Sequence, residues 1–542
     1  MTLDYFNFLM LLVASVVLVN GLDDLFIDIY YYIYQIYRVF FIMKHHKPLN
    51  ETQLRAKPEQ RIAVLLPAWR ESPVIAHMVH NAFETMDYKL FDIFIGTYPN
   101  DEATCDVAAA LAGENPRVHR IVCPHDGPTN KSDCLNWIIA GIRAHEKDTG
   151  ELFDIFILHD AEDIIHPLSF KMINYLIPRV QMVQIPVLPF RTPLWQITSG
   201  TYFDEFAQSH LKDLVVREHF CGMVPGAGVG TAISRAGMEM LAKKYNNEVF
   251  NIKTFTEDYD IAFRLMDLQS RSVIMQFFIE RTHLRPPNWF HKKAEVETVL
   301  DLVATRELFP NRFLTATRQK ARWVIGIVFH GWTQQKWGEH NWRIRYMLWR
   351  DRKAVLVNIF DLLGYVVFFG LLFGAGKSRS PNGVLHWNAA HNTFLWKLIV
   401  ADAILLANRM FQRALAVYRM SDLPNALCSM PRMIWGNMIN CVAVFRASYQ
   451  FFHSRITGKK LVWANTSHVF PNEALLRSYR RKLGDLLVSR RLITIAQLKD
   501  TLARQSVEGQ RLGEMLVKSG YITGEQLEDA LSEQQSQQNT AP

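Results

Sequence analysis

Cysteine is scarce in this chain, with six in 542 residues. None of Cys105, Cys123, Cys134, Cys221, Cys428 and Cys441 forms a C-x-x-C pair. Neither a disulfide framework nor a thiolate zinc site is indicated, and free thiols in a reducing compartment are expected. No zinc-finger spacing, basic recognition helix or aromatic-basic sheet pattern occurs, so nucleic acid is not an expected partner despite a net charge of +8. The first apolar stretch, Phe6–Leu22, has no basic lead and no small-residue cleavage site, which argues against a signal peptide. What is present is apolar: 49% hydrophobic and 12% aromatic residues, too many for a disordered chain. The length calls for about two or three folded units. The positive balance suits a nucleoside diphosphate or anionic lipid headgroups.

Phe6–Leu22 reads as a spanning helix. Only Asp4 is charged before it, while Lys44, Lys47, Arg55 and Lys57 follow, which puts the body of the chain on the inner side. Asp23–Met43 mixes Asp23, Asp24 and Asp28 with a tyrosine-rich run and reads as a separate interfacial helix. Val355–Gly374 and Phe394–Phe411 are two more candidate spans. Ile434–Phe452 carries Asn437, Asn440 and Arg446, and is expected to lie along the interface, since an arginine at mid-depth is costly. Asp361 and Asp402 fall inside the later spans, as a bundle-facing structural pair or as the lining of a polymer path.

Between the flanks the pattern changes. Arg61–Pro67, Asp92–Thr97, Arg117–Cys123, Phe153–Leu158 and Met182–Pro186 read as buried strands, with Ser72–Met86 and Ser132–His145 as intervening helices. Such alternation predicts a mostly parallel sheet covered on both faces, with ligands at the carboxyl ends of its strands. The chemically suggestive residues cluster at those ends. Asp160, Glu162 and Asp163 crowd one strand end, where like charges repel unless a cation joins them. Oxygen ligands of this kind select Mg²⁺ or Mn²⁺, although a solvated acidic turn would look the same. Asp258, after Thr256 and Glu257, suits a base that takes a hydroxyl proton, or a helix-start acid. The glycines at 222, 226, 228 and 230 suit close approach to a sugar or phosphate, or a tight turn. Gln319, Arg322 and Trp323 open an aromatic stretch continuing through Trp332, Trp337, Trp342 and Trp349. Trp323 can stack on a sugar and Arg322 can clamp a diphosphate, while a membrane-surface helix explains the tryptophans equally well.

Taken in order, these patches resemble family 2 glycosyltransferases of the GT-A fold, in the processive polysaccharide synthase branch that includes bacterial cellulose synthase. The opening Pro-x-x-x-Glu falls on Pro67 and Glu71, the aspartate after the second strand on Asp101, and the lysine before Leu-Asn on Lys131. The D-x-D reads Asp160-x-Glu162, the TED is Glu257 and Asp258 with Thr256, and the Q-x-x-R-W is Gln319, Arg322 and Trp323. The resemblance implies an α/β GT-A domain with transmembrane and interfacial helices. It also implies that Pro67, Glu71, Asp101, Lys131 and Asp160 bind the donor and that Asp160, Glu162 and Asp163 hold the metal. Glu257, Asp258, Gln319, Arg322 and Trp323 would be catalytic. The donor would be a UDP-linked sugar and the acceptor a growing glycan.

The last seventy residues contain a repeat. Lys482-Leu483-Gly484-x-x-Leu487 recurs 29 residues later as Arg511-Leu512-Gly513-x-x-Leu516. Leu498, Leu502 and Gln505 recur as Leu527, Leu531 and Gln534. By its pattern alone this is a small all-α unit of two helical hairpins sharing a core. It is similar to the MshEN domain of secretion and pilus assembly ATPases, whose tandem form binds cyclic di-GMP. The second copy, with Gly520, carries the whole pattern; the first has Lys482 in place of arginine, with Arg481 beside it, and Arg491 in place of glycine. The expected units are 1–57 (membrane and interfacial helices), 58–338 (transferase), 339–460 (membrane and interfacial helices) and 470–542 (cyclic di-GMP-binding repeats). The expected function is elongation of a polysaccharide at the bacterial inner membrane, activated by cyclic di-GMP, with membrane lipids and an outer-membrane or periplasmic export partner. A single-sugar transferase acting on a lipid-linked acceptor and a catalytically idle envelope scaffold are the alternatives.

Overall fold

The strand patterns form one mixed sheet in a computed structural model that describes residues 2–285, 295–375, 393–459, 469–472, 475–476 and 482–536. Its strands are β1 (Ile62–Pro67), β2 (Phe91–Thr97), β3 (Val118–Val122), β4 (Ile155–Leu158), β5 (Met182–Gln184), β7 (Thr231–Ser234) and β8 (Ser272–Ile274), with β6 (Val187–Pro189) outside it. The order across the sheet is β3-β2-β1-β4-β7-β5-β8. β1 pairs in parallel with β2 and β4, whereas β7 runs antiparallel to both β4 and β5. The expected mostly parallel sheet is present, with one reversed strand directly after the glycines at 222–230.

Alternation along each strand builds two cores. Val64 and Leu66 face the Ile75–Thr85 helix, while Ala63 and Leu65 face the Lys131–Thr149 helix. With both faces covered, the strands read as continuous apolar runs.

The first flank differs from expectation. Asp23–Met43 is no separate surface helix: Thr2–Tyr37 is one helix, followed by a π-turn at Arg38–Ile42. Its acids turn into the helix bundle. Asp24 pairs with Arg350 at 3.0 Å, Asp23 with Arg350 and Lys353, and Asp28 with Lys212. Paired buried charges remove the reason for a break at Asp23. Among the described residues, Phe8–Ile42 is the one helix long and apolar enough to cross a membrane. The other apolar stretches lie in the helices Trp342–Ala375, Thr393–Met420 and Leu423–Thr457. Leu423–Thr457 packs on the sheet domain, where Arg432 grips Asp204 through two 2.8 Å bonds and Ala443 and Ala447 meet Ala321 and Ile325. Asp361 lies 3.6 Å from Arg409 and accepts from Asn437, while Asp402, the other acid of the expected pair, keeps a buried Oδ1 with no hydrogen-bond partner.

In the tail the repeat is four helices: Leu483–Ser489, Ile495–Glu508, Leu512–Lys518 and Gly524–Ser536. Leu487, Leu498 and Leu516 are fully buried in its core, edged by Leu502, Leu512, Leu527 and Leu531. A Cβ on Gly484 would sit 2.7 Å from Leu498, and one on Gly513 would sit 2.6 Å from Leu527. These glycines let the two helices of each hairpin touch. Arg491 takes φ 58° where its counterpart Gly520 takes 71°, so the first copy keeps the turn with a less suited residue. Arg481 lies outside the described residues.

Candidate active site

The sheet's carboxyl ends open into a cleft of about 200 Å³. Six distant stretches of sequence contribute to its walls: Pro67, Trp69 and Glu71 at and after the end of β1; Tyr98 after β2; Lys131 at a helix start; Asp160 and Glu162 after β4; Glu257 and Asp258 from one later helix; and Gln319, Arg322 and Trp323 from another. Each strand end stops at the same level because β1, β2 and β4 are in parallel register.

Lys131 is the hub. Its ammonium lies 2.5 Å from Asp160 Oδ1, 3.7 Å from Glu257 Oε1 and 3.2 Å from the Gly228 carbonyl. Burial works to lower its pKa, but Asp160 and then Glu257 outweigh burial and hold it above its ordinary value. Asp258 is pushed up to about 7, first by burial and then by the charge of Glu257, against the pull of Lys131. A carboxylate with a pKa near the working pH suits a proton acceptor. Asp258 also lies in the first turn of the Glu257–Asp267 helix, the place expected of a helix-start acid.

The glycine loop is part of the wall. Gly226 N–H donates to the Asp258 carbonyl at 3.0 Å, and a Cβ on Gly228, whose φ is 81°, would meet Asp258 Oδ2 at 3.5 Å. The tight turn and the close approach are the same feature. Opposite it, the Phe313–Trp323 helix brings Gln319, Arg322 and Trp323 to the cleft, and Gln319 Oε1 is buried there without a hydrogen-bond partner. Gly326, just beyond this helix, allows the approach: a Cβ there would lie 2.4 Å from Thr256. Gly326→Ala should therefore push Arg322 away from Asp258 and lower turnover by about tenfold or more, as displaced catalytic groups do. Unchanged steady-state kinetics would contradict that role.

Two predicted site residues stand behind the cleft. Asp163 is fully buried, accepts from His159 Nδ1 at 2.6 Å and from Asp160 N at 3.1 Å, and leaves Oδ1 without a hydrogen bond. It shapes the loop that presents Asp160 and Glu162. Asp101 caps the Glu102–Glu114 helix and accepts from Arg70 N at 2.5 Å, holding Arg70 at φ 60°. It braces the Pro67–Glu71 turn. In the tail, Lys482 and Arg511 are exposed at equivalent helix starts, Gln505 donates to the Gln510 carbonyl at 3.0 Å, and Gln534 lies on the last helix.

Sequence reasoning missed Asn130 and Glu307 as wall residues. Trp69 and Tyr98 meet edge-to-face at 5.3 Å. Glu307 lies on β11 (Thr305–Glu307), which pairs with β6. Burial, then Asp163, Glu162 and Asp160, raise its carboxyl well above the usual range. Glu307, on a three-residue strand, offered no periodic signal.

The cleft lining carries the carboxylates of Glu71, Asp160, Glu162, Glu257, Asp258 and Glu307 against the cations of Lys131 and Arg322. This oxygen-rich, net-negative set fits a hard divalent cation. Asp92, His119 and His145 also come within ligating distance of one another, but Asp92 and His119 begin β2 and β3, at the end of the sheet away from the cleft.

Residues 58–326 match the family described as "Glycosyltransferase like family 2". The chain is 36% identical over 501 residues to Bacteriophage adsorption protein B of Escherichia coli K12 and to Bacteriophage N4 adsorption protein B of Escherichia coli O157:H7. The match spans 92% of this chain but 66% of the length of those relatives. Among solved structures, a mannosyltransferase from Pyrobaculum calidifontis in complex with GDP-Man and Mn²⁺ aligns over 81% of this chain and 99% of its own, at 14% identity and a TM-score of 0.48.

Proposed function

The chain belongs, through residues 58–326, to the family 2 glycosyltransferases; from that premise we propose that it transfers sugar units from a nucleoside-diphosphate donor, UDP-linked in this reading, onto a growing glycan at the bacterial inner membrane. The observation that carries this reading is the convergence of Asp160, Lys131, Asp258 and Arg322 on one cleft from separate stretches of chain.

Each residue has a part. Asp160 and Glu162 would hold a Mg²⁺ or Mn²⁺ ion, which neutralises the charge of the leaving diphosphate when bound. Trp69 and Tyr98 give the nucleotide an aromatic wall, and Lys131 and Arg322 face the phosphates. Asp258 takes the proton of the acceptor hydroxyl as that oxygen attacks the anomeric carbon. Trp323 stacks on the acceptor sugar, and Gln319 Oε1 accepts a hydrogen bond from one of its hydroxyls. Exclusion of water by Phe255 and Phe309 in the lining favours transfer over hydrolysis. The decisive test is a panel of nucleotide sugars with Mg²⁺ or Mn²⁺, scored for nucleoside diphosphate release and product length. No release with any donor would favour the idle scaffold, and single additions would favour the lipid-linked alternative.

In this reading the protein spans the membrane several times, with its catalytic and tail units in the cytoplasm, and phage adsorption follows from the exported polymer or from its export partner. The tail binds cyclic di-GMP, with Arg511 and Lys482 at equivalent positions on its two halves. Arg511→Ala in the full chain should weaken cyclic di-GMP binding about tenfold or more, the scale of a lost charge-assisted contact, and blunt any activation. Equal calorimetric affinity for the two proteins would remove the assignment.

A further inference from the structure

The tail is joined to the transferase domain by more than its linker. Phe470 stacks on His77 with ring centroids 5.4 Å apart, and Leu476 is buried over a small cavity lined by Asn81, Ile164, Arg281 and Arg306. Beyond it, Leu483–Ser489 packs on β9 (Phe278–Arg285) and Ile495–Glu508 packs on β10 (Glu295–Leu302). The first repeat thus rests on a two-stranded ribbon that projects from the catalytic domain.

That ribbon is tied to the metal-binding loop. Asp301, on β10, bridges Arg281 and Arg306 at 3.0 Å each. Arg306 in turn forms a two-bond backbone bridge with Ile164: Ile164 N–H donates to the Arg306 carbonyl at 2.8 Å, and Arg306 N–H donates to the Ile164 carbonyl at 3.0 Å. Ile164 is two residues from Glu162, and Arg306 immediately precedes Glu307. Both carboxylates line the cleft.

We propose that the Asp301–Arg306 pair couples the docked tail to the metal-binding carboxylates, so that the position of the tail sets the metal affinity of the active site. The physical requirement is modest. Glu162 and Glu307 sit on opposite sides of one backbone bridge, and their separation follows the bridge. A ribbon held by the tail fixes Asp301, Asp301 fixes Arg306, and Arg306 fixes the bridge. A ligand that binds the docked tail more tightly than the undocked one then tightens metal binding by the same factor that metal tightens the ligand.

This inference rests on the metal-dependent transferase reading, and its test separates the two. The probe is Mn²⁺ alone, titrated against the full-length protein, with free ion followed by electron paramagnetic resonance. Asp301→Asn should weaken Mn²⁺ binding about fivefold or more, the lower range of couplings between sites. Leu476→Ala, which loosens the docked linker over the Arg281–Arg306 cavity and leaves Asp301 in place, should shift it the same way. Adding cyclic di-GMP should change Mn²⁺ affinity in the parent protein but not in Asp301→Asn, although calorimetry finds the ligand still bound by that variant. Mn²⁺ affinities within about twofold of the parent in both variants would overturn the coupling. If Asp301→Asn does not fold, Leu476→Ala alone decides. If Asp160→Ala leaves the titration unchanged, the metal reading itself fails; if the parent binds no cyclic di-GMP, only the tail's ligand is wrong, and the two variants still decide the coupling.

Discussion

Asp258→Asn should lose transfer by a factor of about 100 or more while keeping donor binding, the expected loss for a deleted general base. The pH dependence sharpens the expectation. Asp258 must be deprotonated to accept a proton, and its pKa is raised to about 7. In the parent, kcat/KM should rise with pH up to and through about 7 and level off above it. The weak residual rate of Asp258→Asn should lack that limb. Stability moves the other way. The folded carboxylate binds its proton more tightly than the unfolded one, whose pKa is about 3.9. Stability from this group therefore falls as pH rises between those two values. At pH 8 Asp258→Asn should melt no lower than the parent, so lost activity cannot be put down to unfolding. An intact rate, or a pH limb that survives in the variant, would place the base elsewhere.

Asp160→Ala should have an effect at least as large, through binding. It removes a carboxylate proposed to hold the metal and also the 2.5 Å partner of Lys131. Several kcal/mol of charge stabilisation on the leaving diphosphate then disappears, which corresponds to about a thousandfold in rate. Donor binding should lose its response to Mn²⁺ altogether. Calorimetry of the donor with Mn²⁺ and with chelator would show the same affinity in the variant and different affinities in the parent. A variant whose donor affinity still climbs with Mn²⁺ would contradict the role of Asp160.

The difference between Asp160 and Asp163 shows where sequence reasoning stops. Both follow the same strand, and a run of acids gives no direction to any of them. Folded, Asp160 faces the cleft and Asp163 turns inward to His159. A similar ambiguity concerned Asp23, Asp24 and Asp28. In sequence they look like the end of an apolar helix and the start of a surface one. In the fold they are partnered by Arg350, Lys353 and Lys212, from helices 184 to 330 residues away. Charge along a chain is visible, but its partner across space is not.

The sequence by itself determined the alternating strands and helices, because a buried strand must be apolar throughout and its period is local. It also determined which residue types lie at the strand ends, and the repeat in the tail. Tertiary structure alone decided the rest. The reversal of β7 depends on pairing with β4 and β5, and a four-residue strand carries no signal of direction. The cleft itself exists because Gly228 and Gly326 let a loop and a helix approach Asp258 and Thr256, contacts set by the space left between elements. Glu307 became part of the site only when a three-residue strand paired with β6, and Asp301 met Arg281 only through a ribbon pairing. Local periodicity is written in neighbouring residues; closeness between distant ones is settled by how the elements pack.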